Sequence, residues 1–160
     1  MRLIDEGEVQ LAARRAKADN ESRARRLGTL RPELVAYIVA ATEEMSVSAK
    51  AAAWRGLELS VEAMGGAAGE ERMTIEEVLE IHERNLDFVF ALGECDPRIA
   101  DRYLANTAAL RQRSLLRRLS DDVHKNVPRG ERGAVFLLVK TVVDALDNLP
   151  DQVFAELGAP

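Results

Sequence analysis

His82 and His124 are the two histidines of this 160-residue chain, and they are the first side chains to consider for chemistry at neutral pH. His82 follows Leu79 by three residues and precedes Leu86 by four, so helical spacing places it on an apolar face and predicts burial. A buried neutral imidazole can ligate a metal or haem, titrate as a switch, or act as a core side chain with one hydrogen bond. We favour the core role because buried polar groups find partners. A ligand or haem sensor domain acting through His82 is the alternative.

The sequence offers little for a protein-bound metal. Asp121 and His124 have the i, i+3 spacing that di-metal carboxylate bundles use in duplicate, but the pair occurs once. Beside His82, the candidate carboxylate Glu80 falls on another face of the same helix. Cys95 is the single cysteine, which excludes an internal disulfide and a thiolate metal cluster within one chain. We therefore predict no metal site and no cofactor.

Catalytic motifs are equally sparse. The serines of the predicted helices lack a nucleophile elbow, and the glycine-rich stretch at 65–69 lacks the Gly-Lys-Ser/Thr ending that cradles phosphates. Cys95 has no histidine close in sequence, so a small hydrophobic role is its default. We predict no catalytic residue and expect the protein not to be an enzyme.

Acidic side chains form the first candidate interaction surface. They project into one sector of about 60° beside the apolar face of the His82 helix, and they are Glu76, Glu80, Glu83 and Asp87. Like charges at i, i+4 destabilise a helix by a few tenths of a kcal/mol per pair. Either the ridge is a solvated face, or it forms salt bridges to Arg111 and Arg118, or it docks a basic partner.

Basic side chains form the second candidate surface, which comprises Arg111, Arg113, Arg117 and Arg118. The basic segments 14–31 and 111–132 together raise the alternative of a nucleic-acid-associated regulator. However, Arg111 and Arg118 fall on one side of their helix and the other two arginines on another, so no single cationic stripe forms. Aromatic residues make up only 4% of the chain, which leaves few platforms for stacking bases.

Charge is strongly segregated along the chain, although the net value is only −5. Residues 32–97 carry 14 acidic and 4 basic side chains, whereas residues 98–132 carry 9 basic and 4 acidic ones. This pattern is typical of complementary packed helices or of a bipolar surface for a partner. No apolar run resembles a secretory signal or reaches the ~20 residues of a membrane span, so we predict a cytoplasmic protein that does not enter membranes.

The elements that position these residues follow from the turn signals. Residues 3–27 are rich in Ala, Arg and Glu, which predicts a peripheral helix. Residues 32–64 begin with Pro32 and close on two glycines, which favours one long helix over two helices joined near residues 46–48.

Three further helices are predicted in the second half. Thr74 and Glu77 form a capping box that starts a helix over 74–93. The next helix spans 96–126, with Leu115, Leu119 and Val123 on its apolar face. The segment 134–146 is the most apolar, and its polar residues recur at i, i+4 and i+7, so we predict a central, most buried helix in which Lys140 can pair with Asp144.

These patterns predict an all-α fold, an antiparallel helical bundle of about five main helices with a short C-terminal helix. The chain is expected to be a single domain, 1–160, in which residues 1–30 are peripheral and residues 31–160 form the bundle core. The leading functional hypothesis is a non-enzymatic adaptor, chaperone or regulatory module. Such a module would bind another protein, or itself as a homodimer, through helical surfaces.

Overall fold

The computed structural model describes residues 3–16, 27–28, 31–64, 73–93 and 112–147. These residues form six α-helices and one 3₁₀ turn at Arg129–Glu131, and no strand occurs among them. The helices are α1 (Glu6–Ala16), α2 (Pro32–Ala41), α3 (Val47–Met64), α4 (Ile75–Gly93), α5 (Arg113–Asn126) and α6 (Arg132–Asp147). They pack against one another around one core cluster, which confirms the predicted all-α bundle.

Helix α6 is the centre of the described bundle, as predicted. It packs against α2, α3, α4 and α5. Its side chains from Leu137 to Val143 are all buried, and the core residues Val135, Val139 and Val142 are completely so. Because neighbours cover most of this helix, only its first turn and the Asp144 side chain reach solvent to an appreciable extent.

Helix α3 approaches α6 closely because its inward row is built from small residues. The buried members of this row are Ala49, Ala52, Ala53, Gly56 and Ser60. A Cβ added to Gly56 would lie 3.2 Å from Val139 Cβ and closer still to Val139 Cγ1. Gly56 is therefore required by the close approach of two helices rather than by a turn.

The prediction of one helix over residues 32–64 is wrong. Helix α2 ends at Ala41 and α3 begins at Val47. The Thr42 hydroxyl donates to the carbonyl of Ile38, and both the backbone N–H and the hydroxyl of Ser46 donate to the Glu131 carboxylate. Ser46 Oγ in turn accepts from the N–H of Ala49, so Ser46 caps a new helix. The break is stabilised by a residue 85 positions away.

Part of the predicted N-terminal helix is present as α1, which packs against α3 and α5. Asp5 and Glu8 cap its start reciprocally, through the Asp5 N–H to Glu8 Oε2 and the Glu8 N–H to Asp5 Oδ1. Ile4, Val9 and Ala12 are buried, so this segment contributes to the core although its outer face is exposed. Residues 17–26 lie outside the described residues.

The predicted start of α4 is confirmed, because the Thr74 N–H donates to Glu77 Oε2 and the Glu77 N–H donates to Thr74 Oγ1. In α5, Leu115, Leu119 and Val123 are buried as predicted. The prediction of one continuous helix over 96–126 is wrong at Gln112, which is non-helical and precedes the start of α5 at Arg113. Residues 96–111 and the predicted C-terminal helix lie outside the described residues. Among the residues that are described, no helix has the length and apolar character needed to cross a bilayer.

Candidate functional site

The acidic ridge predicted from the sequence lies on the outer side of α4. Its four carboxylates, Glu76, Glu80, Glu83 and Asp87, are exposed, and none forms a hydrogen bond or ion pair with the described residues. Leu79, which lies within the same run, is 48% exposed. We call Leu79 and these four acids the acidic face. An exposed apolar side chain beside a row of carboxylates can anchor a partner, while the carboxylates select a partner of positive charge.

Arg118, one of the two arginines considered as salt-bridge partners of this ridge, does not pair with it. Helix α4 packs against α2 and α6, whereas Arg118 lies on α5 and faces a cleft between α1, α3 and α5. Arg111 lies outside the described residues. The ridge therefore keeps its like-charge repulsions at i, i+4, each costing a few tenths of a kcal/mol, without an observed ion pair to offset them.

The arginines of α5 are also exposed. Arg113, Arg117 and Arg118 form no ion pair with the described residues. Arg118 borders a cleft of about 110 Å³, together with Arg55 and Asp122. Arg55 donates to Asp122 Oδ2 from Nε at 3.2 Å and from Nη2 at 2.9 Å, so one basic group at the cleft is already neutralised. The structure thus separates the acidic and basic surfaces onto different helices.

His82 is half-buried and forms the predicted single hydrogen bond, since its Nδ1 lies 2.6 Å from the Tyr37 hydroxyl of α2. Burial lowers the pKa of His82 below its usual value, and the charge of Glu83 opposes this shift. Burial raises the pKa of Tyr37 to about 12, against a smaller opposing effect of a hydrogen bond from Thr141. The phenol therefore stays protonated, and neutral His82 can accept its hydrogen at Nδ1.

A buried set of polar side chains continues from this pair into the core. Lys140, whose side chain is 5% exposed, donates to Asp144 Oδ2 at 2.5 Å and to Asn85 Oδ1 at 2.7 Å. The Asn85 amide nitrogen donates to Asp144 Oδ2 at 2.8 Å and lies 3.4 Å from Thr141 Oγ1. The predicted pairing of Lys140 with Asp144 is confirmed. We call these four side chains and the Tyr37–His82 pair together the polar chain.

Three members of the polar chain, Tyr37, Asn85 and Thr141, were not singled out from the sequence. Asn85 carried a usable signal, because it lies three residues after His82 and therefore shares the buried face of α4. Tyr37 and Thr141 carried no such sequence signal, since each contacts its partners only through packing between helices. The polar chain joins α2, α4 and α6.

A second buried polar contact lies at the end of α6. Gln112 donates from Nε2 to Asp147 Oδ1 at 2.9 Å, and its Oε1 accepts from the backbone N–H of Ile4 at 3.2 Å. This contact ties the segment before α1 and the start of α5 to the last residue of α6. Its role is to satisfy buried polar groups.

The remaining residues considered for chemistry do not assemble into a site. His124 and Asp121 are both exposed on α5. The described residues contain no group of three His, Cys, Asp or Glu side chains that could hold a metal ion. Cys95 lies outside the described residues.

Comparisons with known protein-family models, with curated proteins and with solved structures give no match. Function therefore has to be inferred from the surfaces and the polar chain themselves.

Proposed function

We propose that this protein is a non-enzymatic binding module that acts in the cytoplasm as an adaptor, chaperone or regulator. In this proposal, the acidic face of α4 docks a basic segment of another protein. One observation carries the proposal: four exposed carboxylates share one sector of α4 with the half-exposed Leu79 at its edge, and no cation of the described residues pairs with them.

The energetics of α4 support a role beyond stability. Glu76 and Glu80, and likewise Glu83 and Asp87, are separated by four residues and repel each other across one helical turn. A helix selected for stability alone would alternate charges at this spacing. A basic partner would turn the repulsion into attraction, accelerate encounter by electrostatic steering, and bury Leu79 as the apolar anchor.

A basic helical partner fits this face better than an extended one. The carboxylates recur every three or four residues along α4 and so repeat about every 5.4 Å, the pitch of a helix. A second helix with arginine or lysine at the same spacing would meet each carboxylate with one cation. A leucine on its inward row would contact Leu79, in the manner of helix-in-groove recognition.

The test is fluorescence anisotropy with a labelled amphipathic peptide that carries arginines at i, i+4 and one leucine row. We expect the protein to bind this peptide, with affinity falling as salt rises. The triple variant Glu76→Gln/Glu80→Gln/Glu83→Gln should lose at least about tenfold in affinity, equivalent to about 1.4 kcal/mol. The matched control, Glu43→Gln/Glu44→Gln, removes exposed acids of the α2–α3 turn and should bind as the wild type does.

Binding experiments with the same variants distinguish this partner from the alternatives. Equal peptide binding by wild type, triple variant and control would refute the acidic face as the docking surface. Salt-sensitive binding of a DNA or RNA duplex, lost on Arg113→Ala/Arg117→Ala, would instead support the nucleic-acid alternative. If sedimentation shows that the wild type forms dimers and the triple variant does not, the partner of the acidic face is a second copy of the chain rather than another protein.

The haem or ligand sensor alternative has less support from the geometry. His82 Nδ1 is occupied by the Tyr37 hydroxyl. A ligating imidazole would have to use Nε2, with Nδ1 as the supporting donor. In that arrangement the His82 Nδ1–H would donate to the Tyr37 oxygen, which is the reverse of the hydrogen bond that the protonated Tyr37 hydroxyl donates to neutral His82.

A further inference from the structure

The cleft of about 110 Å³ lies where α1, α3 and α5 meet, and none of these helices carries the acidic face. Two of its lining residues, Arg55 and Arg118, are exposed, so the cleft opens to solvent beside two guanidinium groups. A concave space with a few polar groups at its edge is the usual form of a small-molecule site. The lining decides which class of molecule fits.

Apolar side chains form the less exposed part of this lining. They are Leu59 of α3, Leu119 of α5 and Ala13 of α1. Leu119 is buried and Leu59 packs against the core, so both side chains are held in place. A dry apolar cavity of about 150 Å³ can hold benzene, so the smaller space here accommodates an aliphatic group of about four carbon atoms.

Arg118 is the charged group of the cleft that lacks a partner. Asp122 lies one helical turn further along α5, at the spacing that favours an ion pair. However, Asp122 Oδ2 accepts from Nε and Nη2 of Arg55 at 3.2 and 2.9 Å, and its Oδ1 accepts from Asn126 Nδ2 at 2.8 Å. Both oxygens are engaged, and Arg118 forms no ion pair within the part of the chain that the structure describes.

The second carboxylate of the lining also has a partner in the protein. Glu58 Oε1 accepts from the indole Nε1 of Trp54 at 3.0 Å, one turn back along α3. A ligand with an ammonium group would therefore meet two carboxylates that already accept hydrogen bonds. A ligand with a carboxylate would give Arg118 a partner, and an arginine can donate two parallel hydrogen bonds to such a group.

We propose that this cleft binds a small organic carboxylate with a short aliphatic tail. The carboxylate lies against the guanidinium group of Arg118, and the tail contacts Leu59 and Leu119. Because three helices form the cleft, the bound acid bridges α1 to α3 and α5 and stabilises the folded protein by mass action. This site is independent of the acidic face, so either proposal can fail without the other.

The experiment is a titration of the full chain with butyrate at neutral pH, followed by its amide resonances in NMR spectra. We expect saturable shifts at Ala13, Leu59 and Leu119, with a dissociation constant on the order of 1 mM, as six non-hydrogen atoms allow. Acetate lacks two of the methylene groups that the cleft would bury, so it should bind about tenfold more weakly. Butyramide has the same shape without the charge and should also bind about tenfold more weakly.

Three variants locate the site. Arg118→Gln should weaken butyrate binding by about tenfold. Arg113→Gln removes an equal charge from an exposed position of the same helix that does not line the cleft, and it should bind as the wild type does. Ala13→Leu fills the cleft from α1 with a good helix former, so binding should disappear while circular dichroism shows an intact fold.

Four results would overturn the proposal. They are the absence of saturable shifts with butyrate, equal affinity for acetate and butyrate, equal weakening in Arg118→Gln and Arg113→Gln, and undiminished binding by Ala13→Leu. Equal affinity for acetate and butyrate would indicate an ion held at the surface without use of the apolar lining. Equal weakening in the two arginine variants would indicate attraction by the overall charge of α5 instead of contact with Arg118.

Discussion

Gly56→Ala tests the close packing of α3 on α6 directly. Gly56 is buried where α3 meets α6, and an added Cβ would overlap Val139 Cγ1, with Val139 Cβ at 3.2 Å and Leu119 Cδ2 at 3.6 Å. Val139 is itself fully buried and β-branched, so it cannot rotate away from the new methyl group without strain. The added atom can be accommodated only if the two helices move apart.

The magnitude follows from two opposing effects. Replacing glycine by alanine within a helix stabilises it by about 1 kcal/mol. Forcing an extra methyl group into a packed core typically costs about 1–3 kcal/mol, and we expect the upper end here because the neighbour is a stiff side chain on another helix. The net expectation is a loss of about 2 kcal/mol in the free energy of unfolding.

Urea denaturation followed by circular dichroism measures this change. The matched control is Gly133→Ala, near the start of α6, where an added Cβ meets nothing within 4 Å. That control should be neutral or more stable by up to about 1 kcal/mol. In the double variant Gly56→Ala/Val139→Ala, the overlap is removed, so the loss should be smaller than the sum of the single losses by about 1 kcal/mol or more. If Gly56→Ala is as stable as Gly133→Ala, the described helix contact is wrong.

Two further predictions concern buried polar contacts. Lys140→Met removes the cation from Asp144 and the donor from Asn85, and should lower the free energy of unfolding by about 2 kcal/mol; this is less than the 3–5 kcal/mol of fully buried pairs because Asp144 is 32% exposed. Urea denaturation should show that Lys140→Met/Asp144→Leu recovers part of this loss. An unchanged stability of the single variant would contradict the ion pair. Hydrogen bonds from Ser46 lower the pKa of Glu131 below 4.5, so its stabilising contribution is present above pH 4.5 and lost as the pH falls through the lower folded value. Thermal melts across this range should show a weaker pH dependence in Ser46→Ala, and an unchanged dependence would refute the role of Ser46.

Local sequence signals were sufficient where the deciding contacts are local. The capping box of Thr74 and Glu77 involves residues three apart, and it sets the start of α4 in the structure as predicted. The acidic ridge follows from helical spacing alone, and its members are exposed as one of the interpretations required. The burial of α6 follows from its composition, because residues 134–146 are largely apolar and the polar residues among them form one narrow row.

Local sequence signals failed to predict the structure where a residue far away in the sequence determines it. Residues 42–46 contain no glycine or proline, so nothing in them demands a break. The break is stabilised by Glu131, which lies 85 residues later in the chain and accepts hydrogen bonds from the backbone N–H and the hydroxyl of Ser46. Likewise, the hydrogen-bond partner of His82 could not be identified, because Tyr37 reaches it from another helix. In both cases the missing information is which helices become neighbours.

The polar row of α6 shows how the central position of a helix changes the meaning of its sequence. Lys140, Asp144 and Asp147 recur at helical spacing, a pattern that on a surface helix marks the solvated side. Here neighbouring helices bury Lys140 and Asp147 and cover much of Asp144, so each buried polar group needs a partner inside the protein or its burial would cost several kcal/mol. Asn85 of α4 forms hydrogen bonds with Lys140 and Asp144, and Gln112 donates a hydrogen bond to Asp147. Because these partners are specific and directional, they fix the rotation of α4 and the start of α5 against α6 more tightly than apolar packing would.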